Sequence, residues 1–164
     1  MKKILFVLLT MFCAMPFTAS AQVADMAIGD TAVNLFFQGV PMSGTIDEFA
    51  DALRPHFTLK RKMGSDRNWI FQGYVYGKEC PFQVFYTKKT RKVYRVTVMP
   101  KNLDANIWLD SLTVDYGTPA ETELGYLWQL PQGTVLLRVI EGYDPALILL
   151  DKVGQAALKE EEGK

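Results

Sequence analysis

Residues Phe37-Gln38-Gly39-Val40-Pro41-Met42-Ser43-Gly44-Thr45 hold two glycines with four residues between them, after an apolar run and before the start of a helix. That outline is close to a phosphate cradle. Such a loop needs Gly-x-x-x-x-Gly-Lys followed by Ser or Thr, so that backbone amides, a lysine and a hydroxyl hold phosphate and magnesium. Here Thr45 stands at the lysine's place, and Pro41 removes an amide. A structural reading accounts for every residue. Leu35 to Phe37 is a short strand and Val40 to Gly44 a turn. Thr45 is a helix N-cap, and Glu48 three residues on completes a capping box.

Other reactive side chains are sparse. His56 is the single histidine, so any Ser-His-acid or Cys-His arrangement would have to use it. It follows Pro55 at a helix end, where it needs no catalytic role. Cys80 precedes Pro81 at a strand start, with Lys78 near but Glu79 adjoining, and reads as a structural thiol rather than an activated one. With one His and one Cys in the mature chain, zinc would depend on carboxylates. Asp47, Glu48 and Asp51 fit a cap and a solvated helix face, and Asp104, Asp110 and Asp115 are scattered around a second helix. Neither set has calcium-loop spacing. No catalytic, cofactor-binding or metal-ligating residue is assigned. A hydrolase with paired carboxylates stays open, although no pair is indicated. The turn Lys88-Lys89-Thr90-Arg91-Lys92 is basic enough to touch phosphate or an acidic partner, and equally fits a hairpin tip kept soluble by charge.

The elements around these residues follow from periodicity. Ile46, Phe49, Ala50 and Leu53 form one helical stripe, stopped by Pro55. Period two then takes over. Phe57 to Lys62, Arg67 to Gly77, a strand through Phe82, Val84 and Tyr86, and a return through Tyr94, Val96 and Val98 read as antiparallel strands. Leu103 to Tyr116 is a second helix with Trp108, Leu109, Leu112 and Tyr116 on one stripe, closed by Gly117 and Pro119. Strands at Leu124–Leu130, Thr134–Ile140 and Ala146–Leu150 follow, and residues 155–164 read as a frayed acidic tail. The expected class is α+β: an antiparallel sheet with helices on one face, helix-then-meander in both halves.

Strand alternation sorts two faces. Trp69, Phe71, Val75, Phe82, Val84, Tyr86, Tyr94, Val96, Val98, Trp128, Val135, Leu137 and Val139 should lie under the helices. Tyr74, Tyr76, Phe85, Arg95, Thr97, Gln129 and Arg138 should face outward and are the candidate partner-binding residues.

The chain opens on Lys2 and Lys3, an apolar run from Ile4 to Ala14 and Ala19-Ser20-Ala21. The run is too short for a bilayer, which takes about 20 residues. The pattern predicts a signal peptide, residues 1–21, and export to the periplasm or beyond. Cleavage would leave 143 residues, 22–164, with 16 basic against 18 acidic side chains. That balance offers no excess for nucleic acid, and no second apolar segment suggests a membrane span. Cys13 would leave with the signal, so no disulfide is available.

The stretch Phe37 to Thr45 with Phe49, the strand Val93-Tyr94-Arg95-Val96-Thr97-Val98, and Tyr116-Gly117-Thr118-Pro119 followed by Trp128 resemble a group of small, uncharacterised exported proteins of Bacteroides-type bacteria. The helix-then-meander order is also similar to the beta-lactamase-inhibitor-protein fold, shared by the small lipoprotein of the outer-membrane assembly machinery. The resemblance implies no catalytic residues, and this chain lacks a lipid-attachment cysteine. The expected function is an exported, non-enzymatic domain, residues 22–154, that recognises a protein or other envelope macromolecule and carries no cofactor. The rival is a small-ligand carrier with a pocket between helices and sheet.

Overall fold

The computed structural model describes residues 35–64 and 66–163. The expected signal peptide, its cleavage site and Cys13 lie outside them. The elements run β1 (Phe36–Phe37), β2 (Val40–Pro41), α1 (Ile46–Leu53), β3 (Thr58–Met63), β4 (Asn68–Val75), β5 (Lys78–Tyr86), β6 (Val93–Val98), α2 (Ala105–Tyr116), β7 (Ala120–Thr122), β8 (Gly125–Leu130), β9 (Gly133–Arg138), β10 (Ala146–Asp151) and α3 (Lys152–Glu162). β1 and β2 form a small hairpin; the other strands form one antiparallel sheet in the order β3-β4-β5-β6-β10-β9-β8-β7. This is the expected α+β class. Each half is a meander, and the two are joined by pairing β6 with the last strand, β10, which thereby lies at the centre.

α1 begins as its sequence dictates. The Thr45 hydroxyl accepts from the Glu48 amide at 3.3 Å, and the Glu48 carboxylate accepts from the Thr45 amide at 2.8 Å. Ile46, Phe49, Ala50 and Leu53 are buried. The turn before it differs from the sequence reading. Val40 and Pro41 pair with β1, and Gln38-Gly39 is the tight turn, both residues at positive φ.

One sheet face carries the core. Phe71, Phe82, Val84, Val96, Val98, Val135, Leu137, Leu147 and Leu149 are buried there beneath α1, α2 and the small hairpin. Phe57 reaches this face through a notch: a Cβ on Gly73 would stand 2.4 Å from the Phe57 ring. The ring then meets Phe82 edge-on at 5.1 Å.

Three side assignments change. Tyr94 lies on the outer face beside Phe85, because a bulge sets Tyr86 opposite Val93 but Phe85 opposite Arg95. The extra residue in β6 shifts the alternation, and Val93 takes the inner position instead. Tyr76 turns toward α2, because Tyr76-Gly77 is the two-residue turn between β4 and β5 and its positive φ ends the alternation. Val139 lies past the end of β9 and is exposed.

The tail is helical. Asp151 caps α3, accepting from the Gly154 amide at 2.8 Å. Gly154 is needed because a Cβ there would meet the Val93 carbonyl at 2.0 Å. At the far end the Glu161 carboxylate accepts from the amides of Lys88, Lys89 and Thr90 at 2.8, 2.7 and 2.9 Å. These anchors order a segment whose run of glutamates reads in sequence as solvated.

Thr45→Ala should cost about 1 kcal/mol in chemical denaturation, the usual worth of a cap. Gly73→Ala should cost about 1–3 kcal/mol, as overpacking does, and close to nothing in a Phe57→Ala background. Equal costs in both backgrounds would show that the notch does not hold the ring.

Candidate functional site

The sequence-level chemical candidates are occupied by structural work. In the glycine loop, the Met42 amide donates to the Leu35 carbonyl, the Ile46 amide to the Arg91 carbonyl and the Thr45 amide to Glu48. Three amides in and just after the loop are therefore engaged within the protein. Of the α1 acids, Asp47 pairs with Arg91 at 2.7 Å and Asp51 with Arg54 at 2.6 Å. Asp104 caps α2, its carboxylate accepting from the Asn106 amide. Asp115 accepts from the Tyr76 hydroxyl at 2.8 Å. The Tyr116 hydroxyl donates to the Phe36 carbonyl, so the end of α2 is clasped to the β4–β5 turn and to β1. Burial raises the pKa of both tyrosines and keeps them neutral. His56 is exposed. Cys80 is buried on the inner face, and burial pushes its thiol up to about 11, the reverse of activation. Among the described residues no group of three His, Cys, Asp or Glu side chains could hold a metal ion.

The outer face is different in kind. Apart from Asn68 and Ala146, its strand residues are half-exposed or exposed. Of the candidate residues, Tyr74, Phe85, Arg95, Thr97, Gln129 and Arg138 project there, and Tyr76 does not. Cross-strand register fixes their order. One row runs Asn68, Phe85, Arg95, Leu150, Thr134, Gln129. The next runs Ile70, Gln83, Thr97, Ile148, Leu136, Leu127. Tyr74 stands at one corner, 66 % exposed. The Arg95 guanidinium lies 3.8 Å over the Phe85 ring. Its Nε and the Thr97 hydroxyl are shielded yet have no partner in the protein.

Sequence reasoning missed the aliphatic part of this face. Ile148, Leu136 and Leu127 are direct neighbours on β10, β9 and β8, and Leu150 adjoins them in the next row. The signal was present: β10 reads Ala-Leu-Ile-Leu-Leu-Asp, apolar on both sides. A strand of that pattern expects cover on both faces.

Two further features border the sheet. α3 and the ends of β8 to β10 border an open, shallow cleft of about 610 Å³, lined by Gln129, Thr134, Leu150, Lys152, Gln155 and Lys159. A smaller cleft of about 150 Å³ lies between α1 and β3, where the Lys62 ammonium sits 3.9 Å over the Trp69 ring. Leu124 and Val139, bonded through their backbones, and Ile140 and Tyr143, bonded likewise, are exposed around the end of β8 and β9.

Comparison with protein-family models, with curated proteins and with solved structures finds no match. No helix among the described residues is long and apolar enough to cross a membrane.

The Cys80 geometry makes a pH prediction. A thiol whose folded pKa is raised stabilises the fold below its ordinary value of 9.0, and that contribution is lost as pH rises toward about 11. Stability of the parent should fall across that window by more than that of Cys80→Ala, measured by denaturant titration. Parallel slopes would place the thiol in contact with solvent.

Proposed function

We propose that this chain is an exported, non-enzymatic binding domain that recognises a protein through the outer face of its sheet. The observation that carries the reading is the aliphatic row Ile148–Leu136–Leu127 on the face that α1 and α2 do not cover. The row is half-exposed rather than buried, and contiguous apolar surface rimmed by polar residues marks contact surfaces. Arg95, Phe85 and Arg138 stand in the adjoining rows, and Tyr74 is exposed at a corner of the same face. Tyr and Arg are favoured at such sites because each combines large contact area with hydrogen-bonding capacity. Export rests on the sequence pattern at residues 1–21, and the resemblance to exported Bacteroides-type proteins is part of the same proposal.

A small-ligand carrier is the second reading, favoured by the cleft beside α3. Its volume of about 610 Å³ suits a small ligand. Its opening onto the outer face at Leu150, Thr134 and Gln129 also fits the rim of a protein contact.

The test is capture from cell envelope and culture supernatant with the purified protein, followed by binding measurements on variants. Tyr74→Ala, Arg95→Ala and Leu136→Ser should each weaken the captured complex by about 1–2 kcal/mol or more. Tyr74→Ala should leave the melting curve nearly unchanged. Full affinity in a variant carrying all three would exclude this face.

A further inference from the structure

We propose that the turn between β5 and β6 is an anion-binding nest for a soluble phosphate group, closed in this structure by the protein's own Glu161. Three successive backbone amides, of Lys88, Lys89 and Thr90, converge on one carboxylate that arrives from α3, more than seventy residues away in sequence. Successive amides that point into one concavity are the backbone arrangement that holds phosphates. Glu161 occupies it as an internal ligand. Burial acts to raise the pKa of its carboxyl, but the amide donors outweigh it, and the net shift is downward.

The turn also holds bonds of its own that do not involve Glu161. The Thr87 and Thr90 hydroxyls lie 2.7 Å apart, the Lys92 amide donates to the Thr87 hydroxyl, and the Thr87 amide donates to the Lys92 carbonyl. Thr87 is buried, so the turn is fixed from beneath. Arg91, the next residue, is spent on Asp47. Lys88, Lys89 and Lys92 form no salt bridge among the described residues.

Charge decides which anion the nest prefers. One carboxylate brings a single negative charge and two oxygens to three amides in a turn that also carries the lysines Lys88 and Lys89. A phosphate dianion brings nearly twice the charge and more acceptor oxygens. Lysine serves phosphate well as a mobile point charge around a backbone cradle. Phosphate entry would displace Glu161 and free the last turn of α3. The first turn would stay held by Asp151 and by the close approach of Gly154 to β6.

Amide NMR of the purified protein tests this with inorganic phosphate as the probe. In Glu161→Ala, phosphate should shift the Lys88, Lys89 and Thr90 amides saturably, at a concentration at least about tenfold below that needed by the parent, since the variant loses the competing charge-assisted bonds. In the parent, saturating phosphate should speed deuterium exchange in the last turn of α3. Lys88→Ala/Lys89→Ala in the parent background should abolish the response, which keeps the test decisive if Glu161→Ala fails to fold. Unmoved amides in a folded Glu161→Ala would overturn the proposal. So would an equal response to acetate, or capture on phosphatidic-acid vesicles with no response to soluble phosphate.

Discussion

Phe82 is the contact on which the fold turns. Its ring stacks on Phe71 at 5.3 Å, meets Phe37 at 4.9 Å and takes the edge of Phe57 at 5.1 Å. Those four rings come from β5, β4, β1 and the segment after α1, so one cluster fastens the small hairpin and the first helix to the sheet. Aromatic pairs at these separations add to the burial that each ring brings. Gly73 makes the arrangement possible by leaving space for Phe57. Burial is thereby concentrated on one side of an eight-stranded sheet, and the other side is left to Tyr, Arg, Thr and a row of aliphatics.

That asymmetry has a consequence at the centre of the sheet. β10 inserts between β6 and β9, so its outward residues, Ile148 and Leu150, stand in the middle of the uncovered face rather than at an edge. The same strand leads directly into α3, which borders the face and ends on the β5–β6 turn. The cleft beside α3, the aliphatic row and the turn held by Glu161 are therefore mechanically connected through one strand and one helix.

Most of the frame was legible in the sequence because it rests on local signals. Thr45 and Glu48 announce α1, Gly117 closes α2, and alternation in β4 and β5 places Trp69, Phe71, Phe82 and Val84 inward. Most misses depend on a contact distant in sequence or on a break in period. The β6 bulge shifts Tyr94, and the left-handed turn redirects Tyr76. α3 does carry local signals in its Asp151 and Gly163 caps, but the anchoring of its last turn on the Lys88–Thr90 amides is a contact its own residues do not reveal. The candidate face was legible in its polar members Arg95, Thr97 and Arg138. Its aliphatic row was not, because Ile148, Leu136 and Leu127 become neighbours only once β10 is known to pair with β9 and β9 with β8.

Site-specific photo-crosslinking in the producing cell tests the open-face claim most directly. A photoreactive phenylalanine at Leu136, on the outer face, should yield a discrete crosslinked adduct. The same group at Val114, exposed on α2 at the opposite side of the molecule's core, should yield none. Adducts at Val114 alone, or at neither position, would contradict recognition through this face.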